Sequence, residues 1–423
     1  MKKLIVALTL PWLLEAQSIP TLFDALKSNA HVKVDTIVIK KSEVHKDMVN
    51  ASLYPKIDVF ASYDYYNEAT GMLPVAPNDL LAMVQDQSVA QPFSENIYRA
   101  GAKFSMPLFV KSIYTTAKKA EAMQKSAEAK KEINILKNEA LIVGANANFL
   151  YLVSLKQALD GKEKSLLETQ KTLEIKVKNG RSPASVLYKI NDSLNEIAIA
   201  KNNINLQEQK LISTIGSLTG ITLEEPVNMQ QTADFSKGTF ASLKPLEEKL
   251  QADSISIKAE KEKLYPALFA HGSYVYSTAD AYNNGKSVNE TYANVGLVVN
   301  IPLLEMHQYD AISLAKLELQ SSQTELQKLR DELTAQAKML ENSLHLLENS
   351  HKLYTKSVEN KNKLLAIAKV NYESGRLSTE EYLRYEDAVV VEKANLYKTE
   401  ATKWQTLMQL AVIYANNIEE MVK

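Results

Sequence analysis

Six histidines are the residues of this 423-residue chain best suited to metal or acid–base chemistry: His31, His45, His271, His307, His345 and His351. None stands at the spacing that sets two imidazoles and a carboxylate on one helix face, as H-E-x-x-H does. They read as surface or packing residues. The chain has no cysteine, which excludes disulfides, thiolate metal sites, a cysteine nucleophile and a lipid-modified cysteine. It also has no glycine-rich phosphate loop and no G-x-S-x-G elbow for a serine nucleophile. The expectation is therefore a non-enzyme with no catalytic residue, no metal and no cofactor. Lys and Arg number 49 against 50 Asp and Glu, a net charge of −1. A nucleic-acid partner is not expected, because it needs a clustered basic excess. Two basic runs do stand out, from Lys162 to Arg181 and from Lys352 to Arg376. Such runs ordinarily form a solvated helix face; the second reading is that they steer an acidic partner.

The elements that carry these residues are long. Glycine and proline number 12 each, so breakers are scarce and helices should run uninterrupted. No later stretch reaches the ~18 consecutive apolar residues of a membrane helix. The sequence repeats itself. Tyr54-Pro55 recurs as Tyr265-Pro266, Met106-Pro107-Leu108 as Ile301-Pro302-Leu303, and Gly180-Arg181 as Gly375-Arg376. From Pro107 to Gly180 and from Pro302 to Gly375 the separation is the same, 73 residues. The halves differ upstream of that, where Asn67–Ile97 is longer than its counterpart Thr278–Thr291; length variation belongs in loops. Within each arm apolar residues step by three and four. Ile133, Leu136, Ala140, Val143, Ala147 and Leu150 do so in the first, with Leu159, Leu166 and Leu173 following at seven. Leu333, Ala337, Leu340, Leu344, Leu347, His351, Tyr354 and Val358 do so in the second. This is coiled-coil spacing. Each arm ends at a glycine where the chain can turn, and return helices are expected over Pro183–Leu218 and Ser378–Ile418. Ser378 with Glu381 three residues on forms a capping box.

Beside the prolines the period changes to two. Ile57, Val59, Ala61, Tyr63 and Tyr65 alternate with Asp58, Phe60, Ser62 and Asp64. Tyr98, Ala100, Ala102, Phe104, Met106 and Leu108 alternate with Arg99, Gly101, Lys103 and Ser105. The second half repeats this with Leu268 to Tyr276 and Ala293 to Ile301. One face of all four strands is free of charge. Strands of ~9–11 residues with one greasy face and flanking tyrosines suit a membrane β-barrel, with Val59, Phe104, Leu268, Val295 and Leu297 facing outer-membrane lipid. A soluble sheet with one face on a core shows the same alternation. Four strands cannot close a barrel, and open edges in lipid are costly, so a membrane reading requires oligomerisation.

At the N-terminus, Met1-Lys2-Lys3 followed by the apolar run Leu4–Leu14 reads as an export signal, cleaved after Ala16. The expected organisation is a signal over 1–16, a first structural repeat over 17–220, a linker over 221–240 and a second repeat over 241–423. The linker, ITLEEPVNMQQTADFSKGTF, breaks the helical pattern and is expected to pack around the helices at mid-height.

The order of signal, helix, strand pair, long helix, glycine turn and return helix, then all but the signal again, resembles the TolC-like outer-membrane efflux proteins over nearly the whole chain. The best local marks are Lys176 to Arg181 and the Tyr372-x-x-Gly375-x-x-Ser378 turn with Leu383 after it. The resemblance implies a mainly α protein with membrane β-strands. The duplicated strand pairs and coiled-coil hairpins would form a homotrimer whose 12-stranded barrel continues as an α-helical tube. It implies a passive export duct of a tripartite efflux pump or type I secretion system. The partners would be a periplasmic adaptor and an inner-membrane pump of RND or ABC type. The turn residues Asn179, Gly180, Arg181, Gly375, Arg376 and Leu377 would meet the adaptor. Glu381 matches the first acidic position of the family's periplasmic gate. Arg384 stands where a second carboxylate is often found, which departs from a double acidic ring. A solvated first-turn Glu381 that supports the helix dipole is at least as good a reading. The alternative function is a periplasmic coiled-coil scaffold or pump adaptor.

Overall fold

The computed structural model describes residues 18–423. The export signal read over 1–16 lies outside them. In chain order the elements are helices α1 (Ile19–Ser28) and α2 (Ala30–Ala51), strand β1 (Lys56–Gly71), helix α3 (Pro77–Gln85), strand β2 (Phe93–Phe109), and helices α4 (Lys111–Lys178), α5 (Ala184–Thr219) and α6 (Lys244–Glu262). Strands β3 (Ala267–Asp280) and β4 (Ser287–Asn300) follow, then helices α7 (Met306–Glu373), α8 (Thr379–Tyr414) and α9 (Ile418–Met421). The duplication is preserved to the residue: α4 and α7 have 68 residues each, α5 and α8 have 36 each. The chain forms two compact units.

One unit comprises Ile39–Ala127 and Leu246–Glu325. Its centre is a four-stranded antiparallel sheet in the order β1-β2-β3-β4. The register keeps like with like. Ile57, Phe104, Gly272 and Val295 form one cross-strand row, and Val59, Ala102, Tyr274 and Ala293 the next. All eight come from the charge-free face read in the sequence. The strands are 14 to 17 residues long, beyond the expected span. Both hairpins go on pairing after the alternation ends, to Gly71↔Phe93 and Asp280↔Ser287. Helix α6 is tied to the starts of α4 and α7 by polar contacts: Thr115 donates to buried Glu262, Lys119 to Ser256 at 2.9 Å, Gln308 to the Glu260 carbonyl at 2.8 Å, and Ser322 to Asp253 at 2.6 Å.

The other unit comprises the described residues up to Val38, Glu128–Pro245 and Leu326–Lys423. Leu152, Leu159, Leu166 and Leu173 of α4 meet Ile190, Ile197 and Ile204 of α5, every step being seven. That seam is a coiled coil in the strict sense. A second core gathers Ile19, Leu22, Phe23 and Leu26 of α1 with Ile142, Val143 and Phe149 of α4 and Leu407 to Ile413 of α8. The linker enters this core through Leu223 and Val227. Asn146 of α4 clamps Val227, donating to its carbonyl at 2.7 Å and accepting from its amide at 2.9 Å. The last residues pair with the linker, Gln230 and Lys423 exchanging amide-to-carbonyl bonds of 2.8 and 3.1 Å. Those C-terminal residues, assigned in the sequence to the second repeat, thus pack with the linker instead of extending α8, which stops at Ala415 in a left-handed conformation (φ 48°). Glu139 is buried beside the Lys27–Glu419 ion pair. Burial first, and then the Glu419 charge, push its carboxyl up to about 7.

Two glycines are fixed by strand contact. A methyl group at Gly101 would stand 2.3 Å from the Tyr274 carbonyl, and one at Gly272 would stand 2.3 Å from the Phe104 ring and 2.8 Å from the Asn294 carbonyl. Gly101→Ala and Gly272→Ala should each lower stability by about 1–3 kcal/mol or more. Gly238→Ala, with open space around it, should leave it unchanged. Thermal melts of the three variants check this.

Candidate functional site

Two places collect the residues singled out in the sequence: the sheet and the paired hairpin turns. On the sheet, Val59 is 83% exposed, Val295 82% and Leu297 67%. Phe104 and Leu268 are only half-buried, since Phe104 lies across the space above Gly272 and central strands have neighbours on both sides. Tyr63, Tyr65, Tyr98, Tyr274 and Tyr276 are exposed on the same face. The opposite face is polar and internally bonded. Arg99 donates to Asp64 at 2.6 Å, Ser273 to Asn294 at 2.5 Å, and the Lys103 ammonium sits 4.6 Å over the Phe60 ring. The sheet therefore leaves its apolar side uncovered while polar groups on the other side pair with one another, unlike a soluble sheet whose apolar face packs on a core. Strands β1 and β4 end the sheet order, and each has one edge without a partner strand among the described residues. No described helix is long and apolar enough to cross a membrane.

The two turns are built alike. Gly180 and Gly375 have φ of 70° and 73°, the left-handed region that glycine enters freely. In each turn the amide after the glycine reaches back to close the helix: Arg181 to the Lys176 carbonyl and Arg376 to the Asn371 carbonyl, both at 2.8 Å. The glycine amides also bond back, Gly180 to the Val177 carbonyl and Gly375 to the Tyr372 carbonyl, both at 3.0 Å, so each turn has the two bonds of a Schellman closure. Pro183 precedes the first residue of α5, and Ser378 caps α8. Asn179, Arg181, Arg376 and Ser374 are exposed around the tips, while Leu377 is half-buried.

Glu381 stands in the capping box. Its carboxylate accepts from the Ser378 hydroxyl at 2.7 Å and the Ser378 amide at 3.0 Å, and its own amide donates to the Ser378 hydroxyl at 3.3 Å. The Ser378 hydroxyl and amide, in that order, hold this exposed carboxyl below its usual range. Arg384 turns back to Glu380 at 3.4 Å, and Lys189 of α5 reaches the other oxygen of Glu380 at the same distance. A cleft of about 690 Å³ lies between the two turns, with Lys189, Asp192, Glu380 and Arg384 among its charged walls. Its charges are mixed, so the basic runs do not add up to a single positive patch here.

Sequence periodicity did not reveal the cluster just behind the turns. Lys162 pairs with Asp387, and Ser165 lies 3.3 Å from the Tyr382 hydroxyl. Tyr382 donates to buried Glu386 at 2.9 Å and stacks on Tyr372, ring centres 4.8 Å apart. These contacts join α4 of the first hairpin to α7 and α8 of the second. Burial raises the Glu386 carboxyl and pushes the Tyr382 phenol up to about 12. Among the described residues no group of three or more His, Asp or Glu is placed to hold a metal ion.

The architecture defines a class. It is the fold of the TolC-type outer-membrane channels. No family model and no curated protein sequence matches this chain. Among solved structures, the CmeC outer membrane channel of Campylobacter jejuni is similar, with a TM-score of 0.76 at 16% identity, covering 93% of this chain and 84% of that one. A membrane protein from Pseudomonas aeruginosa is similar at 14% identity and a TM-score of 0.76, over 94% and 90% of the two chains. The outer membrane protein VceC of Vibrio cholerae is similar at 13% identity and a TM-score of 0.74, over 93% and 95%. At these identities the likeness is one of fold.

The raised carboxyls fix the sign of a pH effect. A carboxyl whose folded pKa exceeds its unfolded value contributes stability that is complete below the unfolded value and is lost as pH rises through the folded one. For Glu139 that window runs from 4.5 to about 7, and Glu386 acts in the same sense. The melting temperature should fall across this window. Glu139→Gln and Glu386→Gln should each flatten the dependence, as calorimetry from pH 4 to pH 8 would show.

Proposed function

We propose that this chain is the outer-membrane channel of a tripartite export system, a passive duct spanning the outer membrane and periplasm. The observation that carries the reading is the sheet. Its apolar face is exposed, its polar face is bonded within, and both edges are open. Lipid tolerates the first feature and forbids the last, because an unpaired backbone group in hydrocarbon costs several kcal/mol by rough estimate. The edges can close only on other copies. Three copies supply 12 strands, with β4 of one beside β1 of the next. Helix α7 follows β4 and α2 precedes β1, so these helices become neighbours between copies. Both carry exposed apolar residues suited to such a seam: Val34, Ile37, Val44 and Met48 on α2, and Met306, Leu314 and Leu317 on α7. Further along α7, Met339, Leu346, Leu353 and Ile367 stand exposed at multiples of seven, a coiled-coil stripe left for another helix.

In this reading the hairpin turns form the periplasmic mouth. Asn179, Gly180, Arg181, Gly375, Arg376 and Leu377 meet a periplasmic adaptor, which links the duct to an inner-membrane pump of RND or ABC type. The energy of transport comes from that pump. Glu381 lines the mouth as an acidic ring, with Arg384 beside it in place of a second carboxylate. The cap bonds to Ser378 favour the ionised carboxylate and fix its direction, and a ring of such charges would attract cations.

Val295→Arg or Leu297→Arg should abolish assembly in the outer membrane, at a cost of about 2–4 kcal/mol near the bilayer centre. A soluble scaffold or adaptor would tolerate either change, so membrane fractionation with native mass measurement separates the two functions. Glu381→Gln should alter single-channel conductance or divalent-cation block in planar bilayers; unchanged traces would remove Glu381 from the gate.

A further inference from the structure

The extra residues of the first hairpin do not hang free. They fold back over the polar face of the sheet at its loop end. Met72 is 1% exposed and packs with Ile97, Ala279 and Val288, from the polar side of their strands, and with Ala281 just past the end of β3. Its carbonyl accepts from Arg99 and from the Ser277 hydroxyl, both at 3.4 Å, and its amide donates to the Pro92 carbonyl at 2.9 Å. The far side of the segment is gripped by the short β3–β4 turn. Asn283 donates to the Gln87 and Val89 carbonyls at 3.2 and 2.9 Å, Asn284 to Ser88 at 3.2 Å, and Lys286 also to Ser88 at 3.0 Å. Between these two anchors sits α3, which buries none of its described side chains and exposes Leu81 at 62% and Val84 at 49%. Leu80 and Met83 are half-buried, so the helix is uncovered on the side that carries Leu81 and Val84, and that side lacks a partner.

We propose that α3 forms a second constriction of the duct at its outer mouth, where Leu81 and Val84 of three copies converge into an apolar ring that excludes large or strongly hydrated cargo. This rests on the channel reading above, which turns the polar face toward the lumen. The dimensions favour a constriction once that face is inside. A 12-stranded barrel with ordinary strand spacing and tilt has a backbone radius of about 12 Å. A helix with its side chains is ~10–12 Å across. Three helices tethered to the inner wall through Met72 on one side and Gln87 to Val89 on the other would fill the lumen toward its axis and bring Leu81 and Val84 of the three copies together. An apolar constriction passes ions only when it wets. The second hairpin, with its tight turn at 281–286, contributes nothing equivalent, so the longer first loop supplies the ring alone.

The absence of native cysteine makes the test clean. Leu81→Cys and, separately, Val84→Cys are introduced into the full chain, and the trimer in native membranes is treated with a bis-maleimide of about 8 Å reach. Convergence predicts covalent dimers and trimers from both variants and none from a Val59→Cys control on the outer face. The expected companion result is a several-fold rise in conductance for Leu81→Asp with the periplasmic end held open. The proposal is overturned if both cysteines react fully with a monofunctional maleimide in an intact trimer yet give no cross-linked species. If no trimer is present in the membrane, the channel reading itself fails, which is a different result.

Discussion

Every amide and carbonyl along the outer edge of a terminal strand needs a hydrogen-bond partner, and hydrocarbon offers none. In the proposed channel that requirement falls on β1 and β4, the two ends of a sheet whose apolar face is exposed. Water would satisfy the edges but would leave Val59, Val295, Leu297 and the tyrosine rows exposed together on one apolar face, the kind of surface that marks an interaction or membrane site. Lipid satisfies the face and leaves the edges stranded. Only closure on further copies meets both demands at once. The rest of the molecule is consistent with that closure: charge withheld from one face, polar groups paired on the other, and glycines at the points where neighbouring strands and rings approach too closely for a side chain.

The helices obey a related economy. Two hairpins of equal length come from one duplicated plan, and the first is zipped by leucine and isoleucine at seven-residue steps. Equality of length places both glycine turns at the same end of the helical unit, close enough for Lys189 to reach Glu380 and for Tyr382 to link Ser165 with Glu386. These inter-hairpin contacts are polar and partly buried. They are less permanent than the leucine and isoleucine seam within the first hairpin, because a buried carboxyl weakens its surroundings whenever it ionises. In the proposed channel, a mouth that changes width would be better served by such contacts than by packed aliphatic side chains.

Much of this was legible in the sequence because it depends on period and length. The shift from steps of three and four to steps of two marked the strands, and the 73-residue match between prolines and glycines anticipated helices of identical size. Ser378 and Glu381 announced the capping box through their spacing alone. The missed features depend on tertiary contact. Glu386 and Tyr382 look like ordinary α8 residues until Ser165 and Tyr372 arrive from other helices. The pairing of Gln230 with Lys423 joins segments nearly 200 residues apart, and neither has a repeating pattern to betray it. Helix α3 lies in a stretch with three prolines close by, Pro74, Pro77 and Pro92, which reads as loop; Pro77 in fact begins the helix, where its missing amide costs nothing.

The central claim is that the two terminal strands find partners in other copies. Residue-resolved hydrogen exchange on the chain in native outer membranes tests it most directly. The outer-edge amides of β1 and β4 should be protected to the same degree as those of β2 and β3, and should lose that protection when the assembly is dissociated into single chains. Fast exchange along both edges in the intact membrane preparation, with β2 and β3 still protected, would contradict the account.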